Sequence, residues 1–322
     1  MDAPTGTVKA DSSGLRAISI GAAGPVGAEF REAFIAAFDE ASAWLVSRTA
    51  PLERRVHLTR RSIKRLRAML RLLKPSYGQK IAPINAALRD AARALSGARD
   101  AAVVRQTLNK LRKKAATRAE NDAIEKLLSL LPEEKAAPPG HAMGEAKSLI
   151  ATARRVLATL HLHENHALTN NIIEGYVAIY RKGQKGLHAS EENPTTDGLH
   201  EWRKAVQDRR YAAQLFRADW PESSEAPAKA LGTLSDLLGV DHDLAMVADF
   251  LEQVGEDEQL DFVECRALLT LVNRERVKRR EKAFALGHEL YGSKTGKIRK
   301  KWSDWASIRQ KATNASAKPE PA

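Results

Sequence analysis

Three observations predict an all-α fold. Ala, Leu, Arg, Lys and Glu dominate the 322 residues, and these propagate helix better than strand. Apolar residues recur at helical rather than alternating spacing over most of the chain. A helical unit is also repeated: shifting the sequence by 143 residues brings two separate landmarks into one register. The expected architecture is two tandem four-helix bundles related by that repeat.

Residues 1–24 are rich in Gly, Ala, Ser and Thr and are expected to be a disordered leader. GAAGPVG at 21–27 looks like a phosphate-cradling loop, but it follows no strand, contains Pro25 and lacks a Lys-Ser/Thr ending. Phe30, Phe34, Ile35, Phe38, Leu45 and Val46 mark a first helix over 27–49. Pro51 suits the first turn of a second helix, which Pro75 stops after Lys74. Ile81, Ile84, Leu88, Ala91 and Leu95 mark a third, with Gly97 as its end. Asp100 favourably opposes the dipole of the next helix, which runs through Val103, Val104, Leu108 and Leu111, with further helix to Leu131. These elements make a first bundle over 25–132.

The Pro- and Gly-rich stretch 133–144 is the expected linker, and 145–292 the second bundle. In it, helix runs through Leu149–Leu160 and Ile172–Ile179, then a polar, Gly-containing loop over 183–198. Helices follow over 197–219, 224–238, 241–254 and 259–290. Residues 293–322 are expected to form a basic mobile tail.

The repeat aligns His57 with His200, Arg60 with Arg203, Arg61 with Lys204, Ile63 with Val206 and Arg67 with Arg210. Without a gap it also aligns Leu95 with Leu238, Asp100 with Asp243, Ala102 with Ala245 and Val104 with Val247. The copies differ where Gln207, Asp208 and Arg209 stand for Lys64, Arg65 and Leu66.

Arg54–Lys74 is the most unusual stretch, with nine Lys or Arg, one His and no acid. On a helical wheel Ile63, Leu66, Met69, Leu70 and Leu73 form an apolar stripe. Beside it His57, Arg60, Lys64, Arg67, Arg71 and Lys74 form a cationic row about 25 Å long. Like charges at i,i+3 and i,i+4 destabilise a helix, so the row points to an anion-binding face. Its counterpart at 200–217 carries five Lys or Arg and two acids, so the first copy is expected to dominate binding.

A net charge of +12 implies an anionic partner. No apolar run is long enough to cross a membrane. The sequence shows no secretory leader, and a cytoplasmic protein is expected. The single cysteine, Cys265, lies in an apolar-periodic stretch and is expected to be buried. HLHENH at 161–166 is the nearest approach to a metal-binding cluster, but it falls in a turn and is read as incidental, so no metal and no cofactor is expected.

VHLTRRSIKRLRAMLRLL with LSGARDAAV, and LHEWRKAVQDRRYAAQLF with LGVDHDLAMV, resemble the paired strings of the CHAD family (conserved histidine α-helical domain). The resemblance covers residues 27–290 and implies non-enzymatic binding of inorganic polyphosphate in a basic cavity between the two bundles, with polyphosphate granules as a location. By position it designates His57, Arg60, Arg61, Lys64, Arg65, Arg67, Arg71, His200, Arg203, Lys204 and Arg210 as ligands. Arg99 and His242, which precede the aligned acids, are secondary candidates. For His57 and His200, phosphate contact, a packing hydrogen bond and metal ligation stay open.

A flexible chain of phosphates offers no base to read, so spaced guanidinium and ammonium groups suit it. Few aromatics accompany the basic helices, which leaves little for base stacking; Trp202 falls on the apolar side and is expected in the core. The competing class is a nucleic-acid-binding protein, for which the charge and KTGKIRKKW at 294–302 argue. Phosphohydrolase activity is not expected, because no Glu-x-Glu-x-Lys strand or paired-carboxylate metal site occurs.

Overall fold

The computed structural model describes residues 15, 18–20, 26–95, 99–131, 140–162, 166–217, 226–256 and 260–316. Every secondary-structure element among the described residues is a helix. The helices are α1 (Val26–Val46), α2 (Leu52–Ala94), α3 (Arg99–Arg112), α4 (Arg118–Leu130), α5 (Gly140–Ala158), α6 (His166–Glu192), α7 (Thr196–Leu215), α8 (Ala226–Glu256), α9 (Phe262–Tyr291) and α10 (Thr295–Ser316).

Helix α2 is continuous in its backbone assignment yet folds back on itself. Arg60 Nη1 donates to Ala92 O at 2.5 Å, and Arg67 Nε to Asn85 Oδ1 at 2.9 Å. In a straight helix residues 60 and 92 would stand about 48 Å apart. Both pairs are centred on Ser76, beside Pro75, so the chain reverses where the sequence predicts a stop. Asn171 of α6 bridges the opened turn: its Oδ1 accepts from Ser76 N at 2.6 Å and its Nδ2 donates to Leu72 O at 3.3 Å. One turn on, Gly175 brings α6 against α2, and a Cβ there would lie 2.2 Å from Leu72 O.

The apolar interior divides into two clusters, but not at the expected linker. One joins Phe30, Phe34 and Phe38 of α1 to α2, α5, α6, α7, the first half of α8 and Trp302 of α10. The other joins Val104, Leu108 and Leu111 of α3 and Ile124 and Leu127 of α4 to the second half of α8 and the first half of α9. Helices from the two sequence halves thus share both cores. In particular α2 packs on α7, α3 on α8 and α4 on α9, the elements that the 143-residue offset equates.

Other expectations need correction for one recurrent reason: glycine marks close packing here rather than a turn. The loop expected over 183–198 is helical to Glu192. A Cβ on Gly183 would meet Tyr291 at 2.3 Å, and one on Gly186 would meet Trp202 at 2.9 Å. The break expected near 239 is absent, and α8 runs on, because Gly239 makes room for Arg203. The expected mobile tail is helix α10 to Ser316, since Ile298, Trp302 and Trp305 form a buried stripe at i, i+4 and i+7. Of the leader, Leu15, Ile18 and Ile20 are buried, and Ile20 N donates to Leu215 O at 2.8 Å. Ser19 between them is exposed, and the rest of residues 1–24 lies outside the described residues. Within the linker, 133–139 also lies outside them, and helix α5 already begins at Gly140. Ile35 and Val46 are exposed, and Cys265 is only half-buried.

Asn171→Ala leaves the Leu72 carbonyl and Ser76 amide without their bridge. A loss of about 1–3 kcal/mol is expected, read as a lower urea midpoint at unchanged slope.

Candidate anion-binding site

The outgoing arm of α2 carries the cationic row along the side that faces its returning arm. His57, Lys64 and Lys74 are exposed; Arg60, Arg61, Arg67 and Arg71 are half-buried. Arg60 and Arg67, seven residues apart, reach the returning arm through the two hydrogen bonds that define the reversal. Burial, and then the neighbouring Arg71, lowers the pKa of the Arg67 guanidinium. Arg65 does not belong with this row. It points inward, is 4% exposed and is ion-paired with Glu40 of α1, to which Ser62 Oγ also donates at 3.5 Å. Its place is to fasten α1 to α2.

On α7 the corresponding face turns to α8. Gln207 Nε2 donates to Ser235 Oγ at 3.3 Å. Arg203 and Arg210, again seven residues apart, lie over Gly239 and Gly232 of α8, likewise seven apart. A Cβ on Gly239 would stand 2.8 Å from Arg203 Nη2, and one on Gly232 3.4 Å from Arg210 Cζ. Arg210 is 9% exposed, and its Nε finds no hydrogen-bond partner among the described residues. The His200 ring meets His242 of α8 edge-on at 4.6 Å. Burial chiefly, then Lys204, His242 and Arg203, lowers the His200 pKa from 6.5 to about 4. Lys204 is exposed, and its Nζ donates to Glu201 at 2.5 Å. Arg99 opens α3, but its side chain lies outside the described residues, as does that of Asp100.

The two basic helices meet directly. Arg71 Nη1 stands 3.0 Å from Asp208 Oδ1 of α7, and Arg61 hydrogen-bonds the buried hydroxyl of Tyr211. Burial raises the Asp208 carboxyl to about 6, against the opposing pull of Arg71, Lys182 and Arg67. Arg209 takes the core position that Leu66 has in the first copy. Its guanidinium lies 4.7 and 4.8 Å from the Tyr180 and Tyr291 ring centres, and donates to Tyr176 Oη at 3.0 Å and Leu290 O at 2.6 Å.

Sequence reasoning did not single out Arg276 and Arg280 of α9. Both donate to the buried Asp241, at 3.2 and 2.8 Å, and Arg276 Nη2 also donates to Thr196 at 3.1 Å, fixing the start of α7 near His200. The run RERVKRREK at 274–282 was the available signal. Of HLHENH, His161 is exposed, residues 163–165 lie outside the described residues, and so does the side chain of His166.

A family model described as the CHAD domain matches residues 30–252. The chain belongs to the CHAD domain family. The match spans α1 through most of α8, and so contains both basic helices and the seam between them. This CHAD domain is similar in fold to the crystal structure of the CHAD domain from the plant Ricinus communis. The TM-score is 0.52 at 16% identity, covering 90% of this chain and 95% of that one. No curated protein matches the chain.

Burial disfavours the charged form of the His200 ring. Its contribution to stability is present above about pH 6.5 and is lost as pH falls towards about 4, where the folded ring protonates. Asp208 acts oppositely: its contribution is present below about 3.8 and is lost as pH rises through about 6. His200→Asn is therefore expected to lose less stability than the wild type between pH 7 and 5, measured as urea midpoints at the two pH values. An NMR titration of the wild type is expected to place the His200 midpoint well below the usual imidazole value.

Proposed function

We propose that the protein binds inorganic polyphosphate, without chemical action on it, along the seam where α2 meets α7. The carrying observation is the state of Arg67 and Arg210, which the 143-residue offset equates. Arg67 is half-buried with neutral Asn85 as its hydrogen-bond partner and shares the field of the single acid Asp208 with Arg71, while Arg210 is buried over Gly232 with no paired acid among the described residues. A buried cation without a counter-ion is costly for the fold, and an incoming phosphate removes that cost. His57, Arg60, Arg61, Lys64, Arg71, His200, Arg203, Lys204 and His242 flank these two centres in the reading, with Arg99 at its margin. Arg65 takes no part, because Glu40 holds it. Location on polyphosphate granules belongs to the same proposal.

Nucleic-acid binding is the alternative. Its main support was the segment 294–302, and α10 weakens that support. Arg299 is held by both oxygens of Glu174 at 2.7 Å, Lys300 by Asp304 at 2.7 Å, and Trp302 is in the core and unable to stack on a base. No described helix is long and apolar enough to cross a membrane.

Titration with long-chain polyphosphate, single-stranded and double-stranded nucleic acid at physiological salt tests the reading. Polyphosphate is expected to bind tightest, and preference for either nucleic acid overturns it. Combined Arg67→Gln and Arg210→Gln is expected to weaken polyphosphate binding at least about tenfold and to reduce the slope of log affinity against log salt. Lys297→Gln with Lys301→Gln is expected to change affinity little. Arg210→Gln alone is expected to keep or raise the thermal midpoint while binding falls, because it removes a buried charge that the fold does not itself use.

A further inference from the structure

The seam contains an acid that its binding role does not call for. Asp208 is 7% exposed and stands where the first copy has Arg65. Its carboxylate does not merely lower the charge of α7; it reaches across the seam to Arg71, a member of the α2 row, at 3.0 Å. Arg71 keeps a third of its side chain exposed, so it is held by the protein and still open to solvent.

We infer that Asp208 is a built-in competitor for the bound polyanion, occupying Arg71 in the free protein and surrendering it, in whole or part, when a phosphate arrives. This rests on the reading of the seam as a polyphosphate site. The groups that face Asp208 define the competition. Arg71 and Arg67 approach from α2 and Lys182 from α6; Tyr291 of α9 lies within its field, and Glu201 opposes it from its own helix. Three of these are cations, so the carboxylate cancels about one charge in the field that an incoming phosphate meets. Lys182 is itself shared with Glu201 at 3.6 Å, which places a second, more exposed acid at the edge of the same group.

Two consequences distinguish a competitor from an acid that merely holds the helices together. A competitor weakens binding, so neutralising it tightens binding. An orienting acid fixes Arg71 for its ligand, so neutralising it loosens binding. A competitor also fades when protonated. The Asp208 carboxyl takes up its proton near pH 6, so affinity rises as pH falls through that value. His200 can contribute a tightening of its own, which is removed by comparing wild type with Asp208→Asn.

The test is polyphosphate titration of wild type, Asp208→Asn, Arg71→Gln and the double variant at pH 7.5 and 5.5, with thermal unfolding to establish that each is folded. Asp208→Asn is expected to bind about fourfold tighter at 0.15 M salt, the gain of about one released counter-ion on a flexible polyanion. Its advantage is expected to shrink at pH 5.5, and to vanish in the Arg71→Gln background. Unchanged or weaker binding by Asp208→Asn overturns the competitor, as does an equal gain with and without Arg71. If Asp208→Asn fails to fold, Asp208→Glu, which moves the carboxylate by one methylene, replaces it, and unchanged affinity at both pH values overturns the inference. Failure of the wild type to bind polyphosphate at all sinks the functional reading first, so the two failures are distinguishable.

Discussion

Asn171 stands between Leu72 and Ser76, where an uninterrupted helix would have its own hydrogen bond. Pro75 offers no amide and crowds the preceding turn, so α2 opens there. The opened turn would leave the buried Leu72 carbonyl and the Ser76 amide without a protein partner, and one buried amide side chain answers both. Gly175 admits the α6 backbone to the same spot. The reversal centred on Ser76 then decides what the cationic row can touch. Arg60 meets Ala92, and Arg67 meets Asn85, only because each pair is equidistant from that point. Helix α6 also supplies Tyr176 and Tyr180 to Arg209, so one helix fixes both the reversal in α2 and the seating of α7.

Four buried or half-buried arginines show what the protein does with charge. Arg65 has a carboxylate, Glu40, and Arg209 has two aromatic faces, a hydroxyl and a carbonyl. Those two guanidinium groups are satisfied within the fold and serve it. Arg67 has a neutral amide oxygen as its hydrogen-bond partner and shares the field of Asp208 with Arg71, and Arg210 lies on a glycine surface with no paired acid among the described residues. Burial and charge pattern alone do not separate these cases, because all four look alike in sequence; the neighbour decides.

The helical class was legible because apolar spacing is a local signal, and the stop at Pro75 was legible because proline acts within one turn. Glycine was misread for a related reason. Gly183, Gly186 and Gly239 satisfy contacts with Tyr291, Trp202 and Arg203, residues distant in sequence, and local reasoning sees only a weak helix former. The tail misled because the lysines of 294–301 obscured the spacing of Ile298, Trp302 and Trp305. In the candidate site, the row on α2 was legible as a wheel pattern, and the departure at Asp208 was visible as a charge. Which cation Asp208 meets was not, since the pairing with Arg71 depends on how α2 and α7 cross. Arg65, designated by position in the resemblance, is paired with the inward-facing Glu40, a neighbour that the sequence does not mark.

The three consecutive positions at which the copies diverge can be understood together. Successive residues on a helix point about 100° apart, so Gln207, Asp208 and Arg209 address three different neighbours. Gln207 meets Ser235 of α8, Asp208 meets Arg71 of α2, and Arg209 meets Tyr176 of α6 and the end of α9. Against Lys64, Arg65 and Leu66, a neutral amide replaces the exposed cation, an acid at the seam replaces the inward cation paired with Glu40, and a cation held among aromatic rings replaces the apolar core residue. Inside the aromatic setting Arg209 is spent on holding α7 in place and adds little to the field outside. The result is a seam whose cations crowd towards α2, while α7 contributes Arg203 and Arg210 in a rigid, glycine-backed mount. On the proposed reading, a polyanion crossing it meets many adjustable charges on one side and a few fixed ones on the other, so the two helices are unlike halves of one surface rather than duplicates.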